Sequence, residues 1–428
     1  MMPRHPSSHS GSAKRVLTVA TRALIVLAGS SLALTASPTD KPQGYGSATT
    51  GGAGGTVVTV DNITDLKKYA SASGKHIIYI KGTMGDAGSK TTKGGDRITP
   101  TADKTFLGHP GATIKGGFDI KVSNIIIRNL AVWGPGANDI DGNDPIHIEG
   151  TGAKNIWIDH CLVSDGQDGN LDITNAATNV SVTWNKFSYT SLSSNHQYCN
   201  LIGSSATKTA DTVIKVTMAW NWWADGVVER MPRVRFGKVH VINNLVKTNT
   251  SNYAVRAGQN ANILVEKNAF IKTKNPIEIF KDETGQMVKV TADNYFEATS
   301  GTQAGINAEK VFAAPYTLTG LIDSKTLDAK VSDAADGAGP TIDAWSTSSI
   351  SSHSGVVGFS MARQGSLWTL NNSTTAILQV DVLSLDGKRL QSLRIASGSQ
   401  AQLPADRASR IASVTGADEQ RIVPIPGF

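Results

Sequence analysis

The stretch KVHVINNLV, residues 238–246, alternates valines with polar residues and then runs into an Asn-Asn pair. Such alternation is typical of a half-buried β-strand. Similar pieces occur elsewhere in the chain: NIIIRNL (124–130), NIWIDHC (155–161), NVSVTWNKF (179–187), KVTMAWNWW (215–223), NILVEKNAF (262–270) and MVKVTADNYF (287–296). The chain therefore repeats one short strand followed by a polar turn.

The pieces start at positions 124, 155, 179, 215, 238, 262 and 287, and the interval from 179 to 215 is the longest. Repeats of roughly 20–50 residues indicate stacked structural units. Each unit is rich in β-branched residues and lacks helical periodicity, so the pattern predicts one coil of a solenoid per unit. The sequence thus predicts an all-β fold, a right-handed parallel β-helix, with loops in the longer intervals.

One asparagine follows each of five strands at a similar distance. These residues are Asn185, Asn221, Asn244, Asn268 and Asn294. Equivalent positions on successive coils lie about 4.7–4.9 Å apart, so we expect the five amides to stack at one turn and to hydrogen-bond to one another. Asn243 and Asn244 are accordingly interpreted as corner residues that take no part in chemistry.

The composition points to an anionic partner. The 428 residues carry a net charge of +6, and 18% of them are charged and 6% aromatic. This balance suits nucleic acid, an anionic membrane surface or an acidic polysaccharide. Because the lysines and arginines are scattered through strand-like segments and are not interleaved with aromatic residues, we expect no nucleic-acid binding.

The first 36 residues have the pattern of a secretory signal peptide. Basic residues precede the apolar run ALIVLAGSSLAL (23–34), and Ala36 ends a small-residue cleavage site. The run is too short to span a bilayer, so we expect a secreted, extracellular protein with no membrane span. In an oxidising compartment the two cysteines, Cys161 and Cys199, either pair or remain buried thiols, and we expect a disulfide.

Acidic residues recur with the period of the coils. Asp144, Asp172, Leu201 and Arg230 follow one another at nearly equal intervals, close to the spacing of the repeat, which predicts a column. Asp168 precedes Asp172 by four positions, so both carboxylates share one face if the segment is extended. Three clustered carboxylates suit Ca²⁺, which prefers oxygen ligands in flexible geometry. The alternative is a solvated acidic surface, since Asp-Gly pairs often mark turns.

Arg230 opens the basic stretch RMPRVRFG, residues 230–237. It is expected two coils from Asp172, at a distance of roughly 10 Å between backbones. Arginine presents a planar fork to carboxylates and stays charged. An arginine row beside a calcium-binding cluster predicts a uronate-binding surface, and the alternative is an ordinary basic face.

Several long motifs resemble the extracellular pectate lyases of polysaccharide lyase family 1. They are WIDHC (157–161), DGNLDIT (168–174), VSVTWNKF (180–187), LIGSS (201–205), VTMAWNWW (216–223) and RMPRVRFGKVHVINN (230–244). The segment GYGSATTGGAGGTVVTV (44–60) is similar to the opening of that family's sequences. The resemblance covers residues 44–340, and it implies that this part of the chain is a catalytic β-helix.

The resemblance implies calcium-assisted β-elimination on polygalacturonate, the pectate of plant cell walls. Calcium bound to the uronate carboxylate acidifies the proton on C5, a base removes it, O4 leaves and a C4=C5 double bond forms. By motif position Arg230 is the base and Arg235 contacts a substrate carboxylate. The implied calcium ligands are Asp144, Asp168 and Asp172.

Two further substrate contacts are less directly implied. Arg256 follows Arg230 by about one repeat and so lies one coil further along. Many family members carry a substrate-binding lysine three positions before the leucine of LIG, and this chain has Tyr198 there. A tyrosine can stack on a sugar or donate a hydrogen bond, but it brings no positive charge at neutral pH. The preference for methyl-esterified substrate therefore stays open.

The remainder of the chain has a different character. A serine-rich linker occupies residues 341–355, and a small appended β-domain of unknown role is expected over 356–428, with a hairpin at Asp386-Gly387.

Three other functions compete with the lyase: a pectin lyase, a galacturonan hydrolase and a non-catalytic polysaccharide-binding β-helix. The first would not need the three aspartates. The second would need paired acids and would leave the arginine motif without a role, and the third would keep the repeat and the asparagines without the column of site residues. We expect a monomer.

Overall fold

The computed structural model describes residues 40–140 and 143–342 and, towards the C-terminus, residues 359–364, 367–372, 378–383, 389–404, 411–415 and 420–424. The first two ranges form three parallel sheets, which the chain visits in turn on each coil. The predicted signal peptide and residues 343–355 of the predicted linker lie outside the described residues.

The sheets have ten, nine and eight strands, and we name them by these numbers. The ten-stranded sheet contains Thr56–Val60, His76–Ile80, Lys104–Gly108, Ile125–Arg128, Lys154–Asp159, Thr178–Thr183, Lys215–Ala219, Lys238–Ile242, Asn262–Glu266 and Met287–Val290. The nine-stranded sheet contains Thr83–Met84, Thr113–Lys115, Ala131–Trp133, Leu162–Ser164, Lys186–Ser188, Trp222–Trp223, Leu245–Lys247, Ala269–Ile271 and Tyr295–Glu297. The eight-stranded sheet contains Arg97–Ile98, Gly117–Ile120, Ile146–Glu149, Leu171–Thr174, Leu201–Ile202, Arg233–Val234, Val255–Ala257 and Ile277–Ile279.

The alternating valines and isoleucines form the interior of the coils. Ile156, Val180, Val216 and Val239 occupy one register position on four successive strands of the ten-stranded sheet. All four are fully buried. Removing such side chains from water is the main favourable term in folding, and stacking like residues on successive coils extends the same core along the solenoid. The predicted parallel β-helix is confirmed.

The five stacked asparagines are also confirmed. The backbone N–H of Asn221 donates to Oδ1 of Asn244 at 2.9 Å, and its Nδ2 donates to the same oxygen at 2.9 Å. The same two bonds connect the other neighbours in the ladder, Asn185 to Asn221, Asn244 to Asn268 and Asn268 to Asn294. The ladder therefore satisfies buried backbone groups at the corner between the ten-stranded and nine-stranded sheets.

Asn243 turns the chain at the same corner. Its φ of 58° is a left-handed conformation that asparagine tolerates better than most residues. Its Nδ2 donates to the carbonyl of Ile322 at 2.7 Å, and its Oδ1 accepts the N–H of Ile322 at 2.7 Å. Asn243 thus ties a later segment to the outside of the solenoid, as a structural residue should.

Asn244→Ala is expected to lower the free energy of unfolding by roughly 3 kcal/mol, because a buried polar group left unpaired costs about 1–3 kcal/mol. The substitution deprives Asn221 of its acceptor and the carbonyls of Met218 and Ile242 of a donor. Urea denaturation would measure the loss. Asn252→Ala, at an exposed asparagine, is the control, and an equal loss in both variants would contradict the role given to the ladder.

The disulfide expected between Cys161 and Cys199 is wrong, because both cysteines are free and buried. The N–H of Cys161 donates to Oδ1 of Asn185 at 2.9 Å, so this cysteine occupies the next position of the asparagine ladder. Cys199 instead precedes the strand Leu201–Ile202 of the eight-stranded sheet. The two thiols thus lie at different corners of the coil. Titration of the unfolded, unreduced protein should find two thiols per chain, and a value near zero would restore the disulfide.

Few residues outside the sheets are helical. The described helices are the α-helices Ile63–Ser71 and Leu327–Val331 and the 3₁₀ helices Gly44–Gly46, Thr209–Val213 and Ala308–Lys310. Within the described residues, none of these helices has the length and apolar character needed to cross a bilayer.

The C-terminal strands are antiparallel and form two further sheets. Three strands, Phe359–Gln364, Leu367–Asn372 and Gln400–Pro404, make one sheet. Four strands, Leu378–Leu383, Arg389–Ile395, Ile411–Thr415 and Gln420–Pro424, make the other. The second strand of the four pairs with the first, as the expected hairpin requires, and Asp386-Gly387 lies outside the described residues.

Candidate active site

The outer face of the eight-stranded sheet holds the predicted site residues, but in a different register from the one the spacing suggested. Asp172 lies opposite His147, and Leu201 lies opposite Arg233. Asp144 and Arg230 each precede their strand and lie in the turn before it. The predicted step from Asp172 to Leu201 agrees with the register, because Ile173 pairs with Ile202. The predicted steps from Asp144 to Asp172 and from Leu201 to Arg230 do not, so the four-membered column is only partly correct.

Asp144 and Asp172 nevertheless converge, and Gly169 lies between them. A Cβ atom at Gly169 would lie 2.8 Å from Oδ1 of Asp172 and 3.3 Å from Oδ2 of Asp144. Arg97 fixes the backbone beside this point, since its Nη1 donates to the carbonyl of Asp144 at 2.8 Å. Gly169 was not among the predicted site residues, although the DGN sequence (168–170) could have indicated it. Its lack of a side chain lets the two carboxylates approach.

Both carboxylates are buried without full compensation. Burial, followed by the charges of Asp172 and Asp168, raises the pKa of Asp144 well above its usual range. Burial likewise raises the pKa of Asp172 to about 6, although Arg230 and the N–H of Leu201 oppose the shift. Oδ1 of Asp144 has no hydrogen-bond partner among the described residues. Buried carboxylates in this state favour a nearby cation.

Asp168 contacts Arg230. Its Oδ1 lies 3.5 Å from Nη2 of Arg230, and its carbonyl accepts from Nη1 of Arg230 at 3.1 Å. Ligand atoms of Asp139, Asp168 and His196 all lie within 4.8 Å of one another. Within the described residues, the predicted trio of Asp144, Asp168 and Asp172 does not meet that distance. The structure thus brings two of the three predicted ligands together and places the third beside the arginine.

Arg230 is held at the centre of the site. Its side chain is 12% exposed, and its backbone has a left-handed φ of 60°, a conformation uncommon outside glycine and often found at functional sites. Burial lowers the pKa of its guanidinium, but the charges of Asp172 and Asp168 outweigh burial and raise the pKa above its usual value. These carboxylates therefore further stabilise the protonated guanidinium of Arg230.

Tyr198 packs on Arg230. The guanidinium carbon of Arg230 lies 4.5 Å from the centroid of the Tyr198 ring. The ring also meets His196 edge-on, at 4.6 Å between centroids. Burial raises the pKa of Tyr198, so the phenol is neutral at physiological pH. The residue in the place of the family's lysine therefore fixes the orientation of Arg230 and adds no charge.

The other predicted arginines are paired with glutamates that were not among the predicted site residues. Arg235 Nε donates to Oε1 of Glu283 at 2.9 Å, and Arg233 Nη2 reaches the same oxygen at 3.4 Å. Arg256 Nε donates to Oε2 of Glu278. Glu283 is distant from Arg235 in the chain, so its proximity depends on the stacking of coils and not on any local pattern.

The sequence model of the pectate lyase family matches residues 13–356, a range that contains the whole of this site. The chain belongs to the pectate lyase family. Among curated relatives, the pectate trisaccharide-lyase of Thermotoga maritima is 36% identical over 231 residues, which cover 50% of this chain and 59% of that protein. Pectate lyase plyB of Emericella nidulans is 33% identical over 259 residues, covering 56% of this chain and 72% of that protein.

The alignments with these relatives cover only part of each protein. The chain spans 59% of the length of the Thermotoga proteins, and they cover 50% of it in turn. Among solved structures, pectate lyase II of Xanthomonas campestris superposes with a TM-score of 0.56 at 23% identity, covering 70% of this chain and 98% of that one. At that identity the likeness concerns the fold. This pectate lyase family member thus shares its fold with that solved lyase over nearly all of the solved chain.

Proposed function

We propose that this protein is a secreted pectate lyase that cleaves the α-1,4 bonds of polygalacturonate by calcium-assisted β-elimination and releases a 4,5-unsaturated galacturonate end. The observation that carries the proposal is the arrangement of Arg230 beside Asp144, Asp168 and Asp172. A neutral-substrate lyase or a binding protein would not need buried, only partly compensated carboxylates next to a buried arginine. The family of the chain and the names of its relatives support the same reaction.

The donor set fits a calcium ion. Asp144 presents a buried oxygen without a partner among the described residues, and Asp172 lies beside it with a raised pKa. Carboxylate oxygens are the ligands that Ca²⁺ prefers, and its flexible coordination admits substrate and water. Asp144 and Asp172 would hold the ion, with Asp168, which lies beside Arg230, as a third ligand. The bound ion would withdraw charge from the uronate carboxylate and acidify the proton on C5.

The remaining steps belong to the side chains. Arg230, held by Asp168 and Tyr198, would accept the C5 proton in its neutral guanidine form and become guanidinium. The electron pair of the broken C–H bond forms the C4=C5 bond as O4 departs. Arg235 orients a substrate carboxylate. Asp172 and Asp168 raise the pKa of Arg230 above its usual value, so neutralisation of these carboxylates would remove that added shift, while the guanidinium keeps its own high pKa.

The direct test is the ultraviolet absorbance of the new double bond during incubation with polygalacturonate, with and without a chelator. We expect absorbance to rise only when calcium is present. A rise in excess chelator, on a preparation shown to be metal-free, would exclude the calcium mechanism and favour a pectin lyase. New reducing ends without new absorbance would point to a hydrolase instead.

The C-terminal strands are proposed to lie outside the catalytic unit, which is taken as residues 44–340. Truncation after residue 345 is expected to leave the calcium-dependent rate on soluble polygalacturonate within about twofold of the full chain, because domains joined by polar linkers share few contacts. The measurement compares initial rates at matched concentrations, with far-ultraviolet circular dichroism as the folding control. A folded, truncated protein that has lost most of its rate would assign residues 356–428 to the substrate cleft.

A further inference from the structure

A glycine-rich loop, residues 85–96, leads into the strand Arg97–Ile98 at one edge of the eight-stranded sheet. Its two ends are joined by hydrogen bonds, because the N–H of Asp96 donates to the carbonyl of Asp86 at 2.7 Å and Oδ2 of Asp96 accepts the N–H of Asp86 at 2.8 Å. Nζ of Lys67 lies 2.5 Å from the other carboxylate oxygen of Asp96. The loop therefore has a fixed base from which its tip projects.

The tip of the glycine-rich loop is bound to the turn that carries Asp168. The side chain of Gln167, the residue before Asp168, is fully buried. Its Nε2 faces three carbonyls of the tip, those of Ser89 at 3.0 Å, Lys90 at 2.9 Å and Thr92 at 3.3 Å. Because a buried amide left without partners is costly, these contacts hold the tip against the turn.

A second buried amide holds the tip beside Asp144. Nδ2 of Asn143, the residue before Asp144, donates to the carbonyl of Thr92 at 3.4 Å. Asn143 is 6% exposed. The strands that follow the two turns, Ile146–Glu149 and Leu171–Thr174, are the third and fourth from the edge where the loop begins. The loop thus reaches across the sheet and ends beside the turns that carry the aspartates.

The tip carries positive charge that the described residues do not neutralise. Residues 87–95 contain two lysines and no acidic residue. Nζ of Lys90 donates to the carbonyl of Leu192, a neutral acceptor, at 2.7 Å. Lys93 is exposed, and no acidic side chain among the described residues pairs with it. Because Lys93 follows Thr92, whose carbonyl is held by both amides, its backbone is fixed beside the site while its ammonium remains available.

The proposed calcium ligands therefore lie between two cationic groups. In the order of the eight-stranded sheet, Arg233 lies two strands from Asp172 on one side, and the glycine-rich loop lies on the other side. A uronan carries one carboxylate on every sugar, so a chain held at the aspartates presents further carboxylates in both directions. Lysine offers a point charge on a flexible four-carbon stem and can follow a carboxylate whose position varies from sugar to sugar.

We propose that Lys93 binds a uronate carboxylate, and that the glycine-rich loop forms a substrate subsite on the side of the aspartates opposite to Arg233 and Arg235. The inference rests on the proposed lyase function. Gln167 and Asn143 position the loop, and Lys93 contacts the ligand. The subsite makes long uronan chains bind more tightly than short ones, because only a long chain spans the distance from the arginines to the loop.

The test compares Lys93→Gln with Lys289→Gln in the full chain with calcium. Lys93→Gln should raise KM on polygalacturonate about two- to fivefold, the effect of one partly screened charge contact, with kcat retained. Lys93→Glu should raise KM further, because it places a like charge beside the carboxylate. Lys289 is an exposed lysine on the strand Met287–Val290 of the ten-stranded sheet, and its substitution should leave KM as in the parent.

The length of the substrate separates a subsite from a general charge effect. On oligogalacturonides, the ratio of KM in Lys93→Gln to KM in the parent should stay near one for chains too short to reach the loop, and should rise for longer chains. A lysine that only balanced the charge of the aspartates would act equally at every length. Its removal would lower the calcium concentration needed for half-maximal rate and leave KM unchanged, and that pattern would refute the subsite.

A binding measurement separates the inference from the function beneath it. On a column of immobilised polygalacturonate with calcium, Lys93→Gln should elute at lower salt than Lys289→Gln. If the parent gives no unsaturated product, the lyase proposal fails, and the column still tests the loop by itself. Equal elution of the two variants would refute the subsite in either case. Circular dichroism of both variants establishes that the comparison concerns folded protein.

Discussion

Arg230→Lys is expected to reduce kcat on polygalacturonate by at least about a hundredfold, the lower end of what a positioned base contributes. The guanidinium uses separate nitrogens for the carbonyl and carboxylate of Asp168 and packs against the ring of Tyr198. A lysine ammonium is a point charge on a flexible stem and cannot reproduce this planar arrangement. Because the positive charge is retained, KM should change little.

Initial rates at saturating calcium would measure this effect, and circular dichroism would establish the fold. Arg128→Lys is the matched control, since Arg128 also pairs with an aspartate, Asp159, and lies 4.4 Å from the ring centroid of Trp157. That substitution lies in the ten-stranded sheet and should affect stability but not kcat. If Arg230→Lys turned over within a few-fold of the parent, the base would have to be another residue.

The repeat made the fold predictable from the sequence. Strand alternation and the fixed offset of Asn244 and its equivalents depend on local backbone geometry, which each coil repeats. The prediction of the asparagine ladder was therefore correct at each of its five residues. The cysteines show the limit of the same reasoning, because the separation of Cys161 and Cys199 along the chain says how many coils lie between them but not at which corner each thiol lies.

The site was less predictable because it depends on the turns. Asp144 and Arg230 precede their strands in turns of unequal length. Equal spacing in the sequence therefore did not place these residues at the same register position as Asp172. The pairing of Arg235 with Glu283 and of Arg256 with Glu278 joins residues on different coils. No local pattern in the sequence marks these glutamates.

Asp172→Asn is expected to raise the calcium concentration needed for half-maximal activity by at least about tenfold, the lower end of what disturbing a metal site costs. The substitution replaces a carboxylate ligand with a neutral amide of the same size. The fold should survive, because the amide oxygen can still accept the N–H of Leu201, which lies 2.9 Å from Oδ1 of Asp172. The maximal rate at saturating calcium should fall less than the apparent affinity.

The measurement is a calcium titration of the initial rate, starting from metal-free protein. Glu149→Gln serves as the control, because Glu149 lies on the neighbouring strand Ile146–Glu149 and pairs with Lys121 outside the site. Its calcium dependence should match that of the parent. An unchanged dependence in Asp172→Asn would mean that Asp172 only anchors the backbone of Leu201. The calcium site would then have to be sought at Asp168 with Asp139 and His196, whose ligand atoms already lie within 4.8 Å of one another.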